Sequence, residues 1–227
     1  MTEPVVIAID GPSGAGKGAV TQHLARRTGF HVLDSGALYR LTGFAARLDG
    51  LELSDAPAVA AVARALEVRF IPTQSGDESF EVMLRGVDVT DSIRTDQAGV
   101  DASTVAALPM VRAALGDRQQ AFRQAPGLIA DGRDMGTVVF KDALVKIFLT
   151  ASAEIRAERR YNQLKNKDMD VSLAALLESI KARDERDSSR AVSPLKPADN
   201  AVVIDSSTMP LEAVHEAIWA IVKKAVN

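Results

Sequence analysis

One eight-residue segment near the start of the chain constrains its fold more than any other feature. Gly11–Gly18 reads Gly-Pro-Ser-Gly-Ala-Gly-Lys-Gly, follows the apolar run Val5–Ile9 and opens an amphipathic stretch that reaches Thr28. Glycines let a backbone turn back on itself, and the start of a helix presents unpaired N–H donors to anionic oxygens. The segment therefore predicts a loop that holds the phosphates of a nucleoside triphosphate, with Lys17 meeting the terminal ones. The alternative is an ordinary glycine-rich turn, but the coincidence of motif, strand and helix favours phosphate binding.

The loop departs from the general pattern directly after its lysine. Gly18 stands where a serine or threonine hydroxyl usually helps to hold Mg²⁺, so the metal must rely on water and on other oxygens such as those of Ser13 or Asp131. Asp131 closes a short apolar run, where such proteins place an acid near the metal, although it could equally be a turn residue at a strand end. No direct metal ligand is assigned. The predicted phosphate contacts are Gly11, Pro12, Ser13, Gly14, Ala15, Gly16, Lys17, Gly18 and Ala19.

The rest of the chain alternates short β-branched runs with long amphipathic stretches. This pattern predicts an α/β fold with a five-stranded parallel sheet flanked by helices. Each run ends at an acidic or hydroxyl residue, so polar groups gather at the carboxyl edge of the sheet, where open α/β folds bind ligands. The runs are Val5–Ile9, Val32–Leu33, Leu128–Ala130, Val145–Leu149 and Ala201–Ile204.

The interval between the second and third runs is too long for one crossover helix. Ser54 caps a predicted helix that leads into 58–66, and two further helices are expected over 96–107 and 110–124. The pattern between them predicts a small antiparallel lobe of three strands. We therefore expect a core domain from 1–50 and 126–227, and a second region from 51–125 with an insert at about 67–90. The predicted insert strands are Val68–Ile71, Phe80–Leu84 and Val87–Val89.

Composition narrows the class of ligand and the compartment. A net charge of −3 argues against a broad electrostatic grip on nucleic acid, so we expect a small anionic ligand met by local clusters of arginine and lysine. The absence of cysteine excludes disulfides and thiolate zinc sites and suits the cytoplasm. No segment predicts a signal peptide or a membrane span. His23, His31 and His215 share no metal spacing, and Trp219 falls in the apolar stripe of a terminal helix.

A phosphate loop alone does not separate a GTP switch, an ATP-driven machine and a small-molecule kinase. A guanine-reading switch needs Asn-Lys-x-Asp, and the nearest match, 166–169, fails at its last position. A kinase for an anionic acceptor needs a second cluster of positive charge, which the scattered arginines supply. The kinase is therefore favoured over the switch. A kinase for UMP, AMP or a sugar acid and a non-enzymatic nucleotide-binding module stay open as alternatives.

Four segments of the chain carry a further signal: Gly11–Gly18, Leu33–Arg40, Ile129–Phe140 and Arg183–Leu195. Together they resemble the bacterial cytidylate kinase family over nearly the whole chain. The resemblance implies transfer of the γ-phosphoryl group of ATP to CMP or dCMP with Mg²⁺, and a P-loop kinase fold with a β-rich insert and a helical lid. From the resemblance together with composition and charge, we expect a cytoplasmic monomer that binds neither nucleic acid nor membrane. One position departs from the family, because Ala19 replaces the usual threonine or serine.

The resemblance also implies roles for individual side chains of the monophosphate site. Ser35 and Arg40 contact the nucleoside monophosphate, and the alternative is a helix cap and a surface arginine. Ser103 and Arg112 bind the cytosine edge. Arg133 and Asp134 read the amino and ring-nitrogen edge of the base, and the alternative is an internal salt bridge.

Two arginine clusters complete the implied site. Arg183 and Arg190 hold the acceptor phosphate and Asp187 meets the sugar hydroxyls; their i, i+4, i+7 spacing predicts one helix face, and the alternative is a solvated charged surface. A lid helix over about 156–172 covers ATP, or is a plain charged helix; its arginines are Arg156, Arg159 and Arg160. The acceptor is a dianion that requires no general base, so the catalytic residues are the cations Lys17, Arg133 and Arg183.

Overall fold

A computed structural model describes residues 3–72, 80–166 and 171–226. By contacts the chain divides into two compact units, Met1–Leu33 with Phe122–Asn227, and Asp34–Ala121. The sequence placed the first border near residue 51. The contacts place it earlier because the helix that follows Asp34 packs on helices of the second unit. Each unit is described by itself below.

The first unit contains a five-stranded parallel sheet, as the sequence predicts. Its strands stand in the order β2-β6-β1-β7-β8, so β1 lies in the middle between β6 and β7. Ile9 pairs with Asp131 across β1 and β6, and Asp10 pairs with Gly132. The ends of these two strands are therefore level at the carboxyl edge. The strands are β1 (Val5–Asp10), β2 (His31–Asp34), β6 (Gly127–Gly132), β7 (Val145–Thr150) and β8 (Val202–Asp205).

Helices of the first unit cover this sheet and close its core. One apolar cluster joins the inward-facing side chains of β1, β6 and β7 to α1 and α8. Val214, Ile218 and Val222 of α8 are buried in it, and Trp219 packs against it, as the stripe of the terminal helix predicts. The helices are α1 (Lys17–Thr28), α6 (Ala153–Lys165), α7 (Leu173–Ser188) and α8 (Leu211–Val226), with a π-helical turn at Met135–Val139.

The described residues of the second unit, 34–72 and 80–121, form four helices and a small antiparallel sheet. Helix α2 packs on α4 and helix α3 packs on α5, and the three strands run in the order β3-β4-β5. The predicted insert is confirmed in strand number and direction. The elements are α2 (Ser35–Leu48), α3 (Ala56–Arg64), β3 (Val68–Pro72), β4 (Phe80–Leu84), β5 (Val87–Asp88), α4 (Asp96–Ala106) and α5 (Pro109–Gln120), with a 3₁₀ turn at Ser92–Arg94.

Several predicted helix ends differ from the structure for local reasons. The cap of α3 is Asp55 and not Ser54, because the Asp55 carboxylate accepts from the Ala58 N–H at 3.1 Å. Helix α3 ends at Arg64, two residues before the predicted end. Helix α5 starts at Pro109, where a proline is tolerated in the first turn, and ends at Gln120 instead of 124.

The segment predicted as one lid helix, 156–172, is divided in the structure. Helix α6 ends at Lys165 and α7 begins at Leu173, while 167–170 lie outside the described residues. The prediction of one helical face for Arg183, Asp187 and Arg190 is wrong for the last of them. Helix α7 ends at Ser188, so Arg190 lies two residues beyond it.

Candidate functional site

The glycine loop links β1 to α1 in a conformation that only glycine tolerates well. Gly11 has φ 151°, and a Cβ there would lie 2.0 Å from the carbonyl oxygen of Leu149. Gly16 caps α1 in the left-handed region with φ 95°. Helix α1 then runs to Thr28 and Gly29 caps its end, as predicted. The local geometry is that of a strand, a tight loop and a helix start, which exposes backbone N–H donors to an anion.

Lys17 is the first residue of α1 and is only 6% exposed. Its Nζ donates to the Pro12 carbonyl oxygen at 3.0 Å and lies 3.7 Å from Asp131 Oδ1. Because β1 and β6 are neighbours in the sheet, the acid at the end of β6 lies beside the lysine of the loop. A buried ammonium group and a carboxylate at one sheet edge suit a site for phosphate oxygens and a divalent cation.

Ser13 of the loop is held by two arginines from the following helices. Arg156 Nη1 donates to the Ser13 carbonyl oxygen at 3.1 Å, and Arg183 Nη1 donates to Ser13 Oγ at 3.1 Å. Arg156 is 4% exposed, and both of its terminal nitrogens also donate to the Asp184 carboxylate. Arg156 therefore anchors the loop to α6 and α7. Arg183 brings a positive charge from α7 to the phosphate loop.

Three predicted substrate residues form one buried ionic cluster. Asp187 is 1% exposed and accepts from Arg133 Nε at 3.2 Å on one oxygen and from Arg190 Nη2 on the other. Burial acts to raise the pKa of Asp187, but the nearby charges of Arg133, Arg190 and Arg183 outweigh it and hold the pKa below its usual value. The carboxylate stays charged and fixes two guanidinium groups, which would otherwise repel each other.

The two remaining arginines of α6 occupy different surroundings. Arg159 donates from Nη1 to Ser206 Oγ at 3.1 Å and from Nη2 to the Ser206 carbonyl oxygen at 2.7 Å, directly after β8. Ser206 Oγ in turn donates to the carbonyl oxygen of Thr150 at the end of β7. Arg160 is half-buried on the same helix. Arg159 thus ties α6 to the carboxyl edge of the sheet.

Asp10 is a buried acid to which sequence analysis gave no role. It is the last residue of β1, directly before the glycine loop, and is 4% exposed. Its two oxygens accept from the N–H groups of Met135 and Gly136, each at 2.8 Å. Burial raises its pKa to about 6, although these two hydrogen bonds oppose the shift; the charge of Asp134 raises it further and that of Lys17 lowers it.

In the second unit, Ser35 and Arg40 both lie on α2. Ser35 is 2% exposed, and its hydroxyl donates to Gln119 Oε1 at 2.9 Å; the cap of the helix is Asp34. Arg40 Nη1 donates to the carbonyl oxygens of Ile93 at 2.7 Å and Thr95 at 3.1 Å. The Arg40 guanidinium therefore connects α2 to the turn that precedes α4.

Ser103 and Arg112, the other two predicted residues of this unit, lie on helices next to α2 or in contact with one of its side chains. Ser103 is 5% exposed on α4, and the guanidinium of Arg112 on α5 lies 5.8 Å from the centre of the Tyr39 ring. Arg47 of α2 donates from Nε and Nη2 to the buried carboxylate of Asp101 on α4. This ion pair joins the helix that carries Ser35 and Arg40 to the helix that carries Ser103.

Few oxygens in the loop itself could hold a cation. A Cβ at Gly18 would meet no atom within 4 Å, so the position has room for a hydroxyl that this sequence lacks. Within 3–72, 80–166 and 171–226, no three acidic, histidine or cysteine side chains gather as a metal site. Mg²⁺ needs only one or two carboxylates when it also binds water and substrate phosphates. Asp131 fits that requirement, whereas Ser13 Oγ already accepts from Arg183.

Sequence analysis gave no role to four residues at the site, and for three of them the reason is that their partners are distant in sequence. Asp184 lies 28 residues from Arg156, and Gln119 lies 84 residues from Ser35. No periodicity signals such pairs. Asp10 is different, since an acid at the end of an apolar strand and directly before the loop was visible in the sequence. Asp101, the partner of Arg47, carried no local signal at all.

Comparison with known proteins identifies relatives over almost the whole chain. The family model described as "Cytidylate kinase" matches residues 7–224. A curated cytidylate kinase of Pseudomonas aeruginosa (strain UCBPP-PA14) is 61% identical over 213 residues, which cover 94% of this chain and 93% of that protein. The cytidylate kinase of Stutzerimonas stutzeri (strain A1501) is 57% identical over 219 residues, covering 96% and 95%. That of Azotobacter vinelandii is 55% identical over 217 residues, covering 96% and 94%.

Proposed function

The chain belongs to the cytidylate kinase family, and from that premise we propose how its side chains carry out the reaction. The enzyme transfers the γ-phosphoryl group of ATP to CMP or dCMP, which yields ADP and CDP or dCDP. One observation carries the assignment of parts: the glycine loop, Lys17 and Arg183 meet at the carboxyl edge of one sheet. The roles below follow from the charge and burial of each group.

The donor site is the glycine loop. Its backbone N–H groups and the start of α1 hold the phosphates of ATP, and Lys17 neutralises charge on the terminal ones. Asp131, 3.7 Å from Lys17 Nζ, would hold Mg²⁺ through water, since no hydroxyl follows the lysine. When bound there, Mg²⁺ would supply positive charge that offsets the negative charge of the ATP phosphates. We also assign Arg156 and Arg160 of α6 to the binding of ATP. Arg156 acts through the glycine loop, which it anchors at Ser13.

The acceptor site uses the ionic cluster around Asp187. We assign Arg183 and Arg190 to the phosphate of CMP, and Asp187 to the sugar hydroxyls and to the alignment of its two arginine neighbours. Arg133 and Asp134 recognise the cytosine edge, because a guanidinium donates to a ring nitrogen and a carboxylate accepts from the exocyclic amine. In the second unit, Ser35 and Arg40 are assigned to the monophosphate, and Ser103 and Arg112 to the base.

The chemistry needs positive charge more than a base. A phosphate monoester has a second pKa of about 6, so the acceptor is largely a dianion at neutral pH and already nucleophilic. The barrier is the repulsion between two anions, which cations held in place by the protein lower without reorganisation. Arg183 fits this role, since its hydrogen bond to Ser13 Oγ brings the cation to the phosphate loop.

The setting of the enzyme stays a prediction. Among the described residues, no helix is long and apolar enough to cross a bilayer. We propose that the protein acts as a cytoplasmic monomer on small nucleotides and binds no nucleic acid, which its net charge of −3 supports. Sedimentation velocity at micromolar concentration tests the monomer.

The decisive experiment measures phosphoryl transfer from ATP and Mg²⁺ to CMP, dCMP, UMP and AMP in wild-type protein and in Lys17→Ala. We expect transfer to CMP and dCMP, and a fall in kcat of about 10²-fold or more in the variant, because a donor to the transition state is lost. Lys141→Ala is the matched control, since Lys141 is exposed and outside the site. Transfer only to another monophosphate would reassign the acceptor. ATP binding with no transfer would indicate a binding module, and near-normal turnover of Lys17→Ala would refute its role.

A further inference from the structure

A carboxylate outside the assigned site connects the phosphate loop to the segment that we assign to the base. Asp10 ends β1 and is followed at once by Gly11, the first residue of the loop. Both of its oxygens are used, one on the Met135 N–H and one on the Gly136 N–H. These two residues follow directly after Arg133 and Asp134. A single side chain therefore bonds the start of one functional loop to the end of another.

The acceptors that Asp10 supplies are needed for a physical reason. Met135 and Gly136 open the π-helical turn, and the first N–H groups of any helix lack partners within it. The cap residue of the turn is Asp134, and its side chain makes no capping hydrogen bond. Asp10 takes that place from a neighbouring strand, so the backbone after Arg133 and Asp134 is fixed to β1.

The contact between Asp10 and the turn is also closely packed. A Cβ at Gly136 would lie 3.4 Å from Asp10 Oδ2 and 3.2 Å from the Lys146 side chain. A Cβ at Gly132, the residue before Arg133, would lie 2.8 Å from the Met135 side chain. Close packing therefore limits the backbone both before Arg133, at Gly132, and after Asp134, at Gly136.

A buried acid in this position is costly for the fold. Burial disfavours the charged form of Asp10, and the nearby charge of Asp134 adds repulsion. The two backbone hydrogen bonds and the charge of Lys17 offset these effects only in part. An apolar residue would avoid that cost but could not accept two N–H donors. Buried acids with a raised pKa, whose cost an apolar side chain would avoid, are typical of functional positions.

We infer that Asp10 is a positioning residue, which fixes Arg133 and Asp134 for recognition of the cytosine base and does not itself touch a nucleotide. This inference rests on the proposed function of Arg133 and Asp134. It differs from a purely structural role in what it predicts: loss of Asp10 impairs use of the monophosphate more than use of ATP.

The test is Asp10→Asn, a change of one atom type with the shape retained. The amide offers one acceptor and places an NH₂ group against an N–H donor, so one hydrogen bond is lost and the turn shifts. We expect the KM for CMP to rise about tenfold or more, since small displacements of positioning groups have large kinetic effects. The KM for ATP should stay within about twofold, and the melting temperature at pH 7 should not fall, because a buried charge is removed. Asp55→Asn, an exposed cap where asparagine serves equally well, is the matched control and should change nothing.

Two further variants separate the possible failures. If Asp10→Asn does not fold, Gly136→Ala presses on the same contact from the other side, and the same split between the two KM values is expected at smaller size. An unchanged KM for CMP, or equal rises in both KM values, overturns the inference. Arg133→Ala tests the proposed function separately: normal use of CMP by that variant refutes the assignment of the base site, whatever Asp10→Asn shows.

Discussion

Two carboxylates of the first unit are almost completely buried but experience opposite electrostatic environments. Asp10 is 4% exposed and accepts from two backbone N–H groups, whereas Asp187 is 1% exposed and lies between two guanidinium groups. Burial raises the pKa of Asp10 to about 6. At Asp187 the same effect is outweighed by arginine charge, and the pKa is lowered. The cationic partners of an acid, and not its depth, therefore decide whether it titrates near neutral pH.

The two regions accordingly use their acids in different ways. The pKa of Asp187 is lowered, and its carboxylate organises Arg133 and Arg190, which carry positive charge for an anionic substrate. The pKa of Asp10 is about 6, so mild acidification protonates it. Asp10 holds the backbone N–H groups of Met135 and Gly136 in place, and not side chains. Removing Asp187 takes away the negative charge that Arg133 and Arg190 contact, whereas removing the charge of Asp10 weakens hydrogen bonds to backbone N–H groups. The predictions below test this contrast.

Asp187→Asn is the largest expected perturbation. Arg133 and Arg190 are 17% and 8% exposed and would lose the charge that both contact. We expect the free energy of unfolding to fall by about 3–5 kcal/mol, the usual range when one partner of a buried pair is removed. The KM for CMP should rise at least about tenfold, since the arginine geometry is lost. Urea unfolding and steady-state kinetics measure the two effects.

The control for that experiment is another acid that pairs with α7. Glu154→Gln breaks the exposed ion pair with Lys181, in which the two side chains are 58% and 50% exposed, and should change stability by no more than about 0.5 kcal/mol. If Asp187→Asn were as stable as wild type, the two arginines would not depend on this carboxylate. The contrast between the two buried acids would then be lost.

Acidification should stabilise the fold through Asp10 and leave Asp187 unaffected. The pKa of Asp10 is about 6 in the folded protein against 3.8 when unfolded, so the folded state binds more protons between these values. Stability relative to Asp10→Asn should therefore rise as the pH falls through 6, by up to about 3 kcal/mol in total. The contribution of Asp187 is lost only below its unfolded pKa, because its folded pKa is lowered. Urea unfolding of both proteins from pH 7.5 to 4.5 tests the slope, and a constant difference would contradict it.

The same contrast explains which parts of the structure were accessible from sequence. The loop from Gly11 to Gly18, the five parallel strands and the three insert strands were predicted, because each depends on local residue order. The bonds from Asp10 to the turn after Asp134 depend on how β1 and β6 align, which no local pattern encodes. Arg190 was placed on a helix by its spacing alone, yet α7 ends at Ser188.

The candidate site was predicted as a set of residues but not as a set of contacts. Arg133, Asp187 and Arg190 were each named, and their assembly around one carboxylate emerged only from the structure. Arg156 was predicted to cover ATP, and its guanidinium is engaged by Asp184 and the Ser13 carbonyl oxygen, a partnership across 143 residues of sequence. Spacing identifies groups that share a helix. It does not identify groups brought together by the sheet.

The smallest expected effect comes from a histidine pair whose pKa values are both lowered. His23 of α1 and His215 of α8 stack with ring centres 4.3 Å apart, and within the described part of the chain neither Nε2 has a hydrogen-bond partner. Burial is the main cause that lowers both pKa values, with the neighbouring charges of Arg26, Arg27, Glu212 and Glu216 acting in both directions. Below pH 6.5 the unfolded chain therefore binds more protons at these positions than the folded one.

This sign is opposite to that of Asp10, so the pair partly masks the acid's effect. Stability due to the histidines is lost as the pH falls below 6.5, whereas stability due to Asp10 is gained below about 6. Both rings are partly exposed, which keeps their contribution the smaller of the two. In the His23→Gln, His215→Gln double variant, the melting temperature should therefore rise more than that of wild type between pH 7 and 5.5. Asp10 and its turn are the same in both proteins. Equal rises in melting temperature would therefore show that the two histidines do not change their proton affinity on folding.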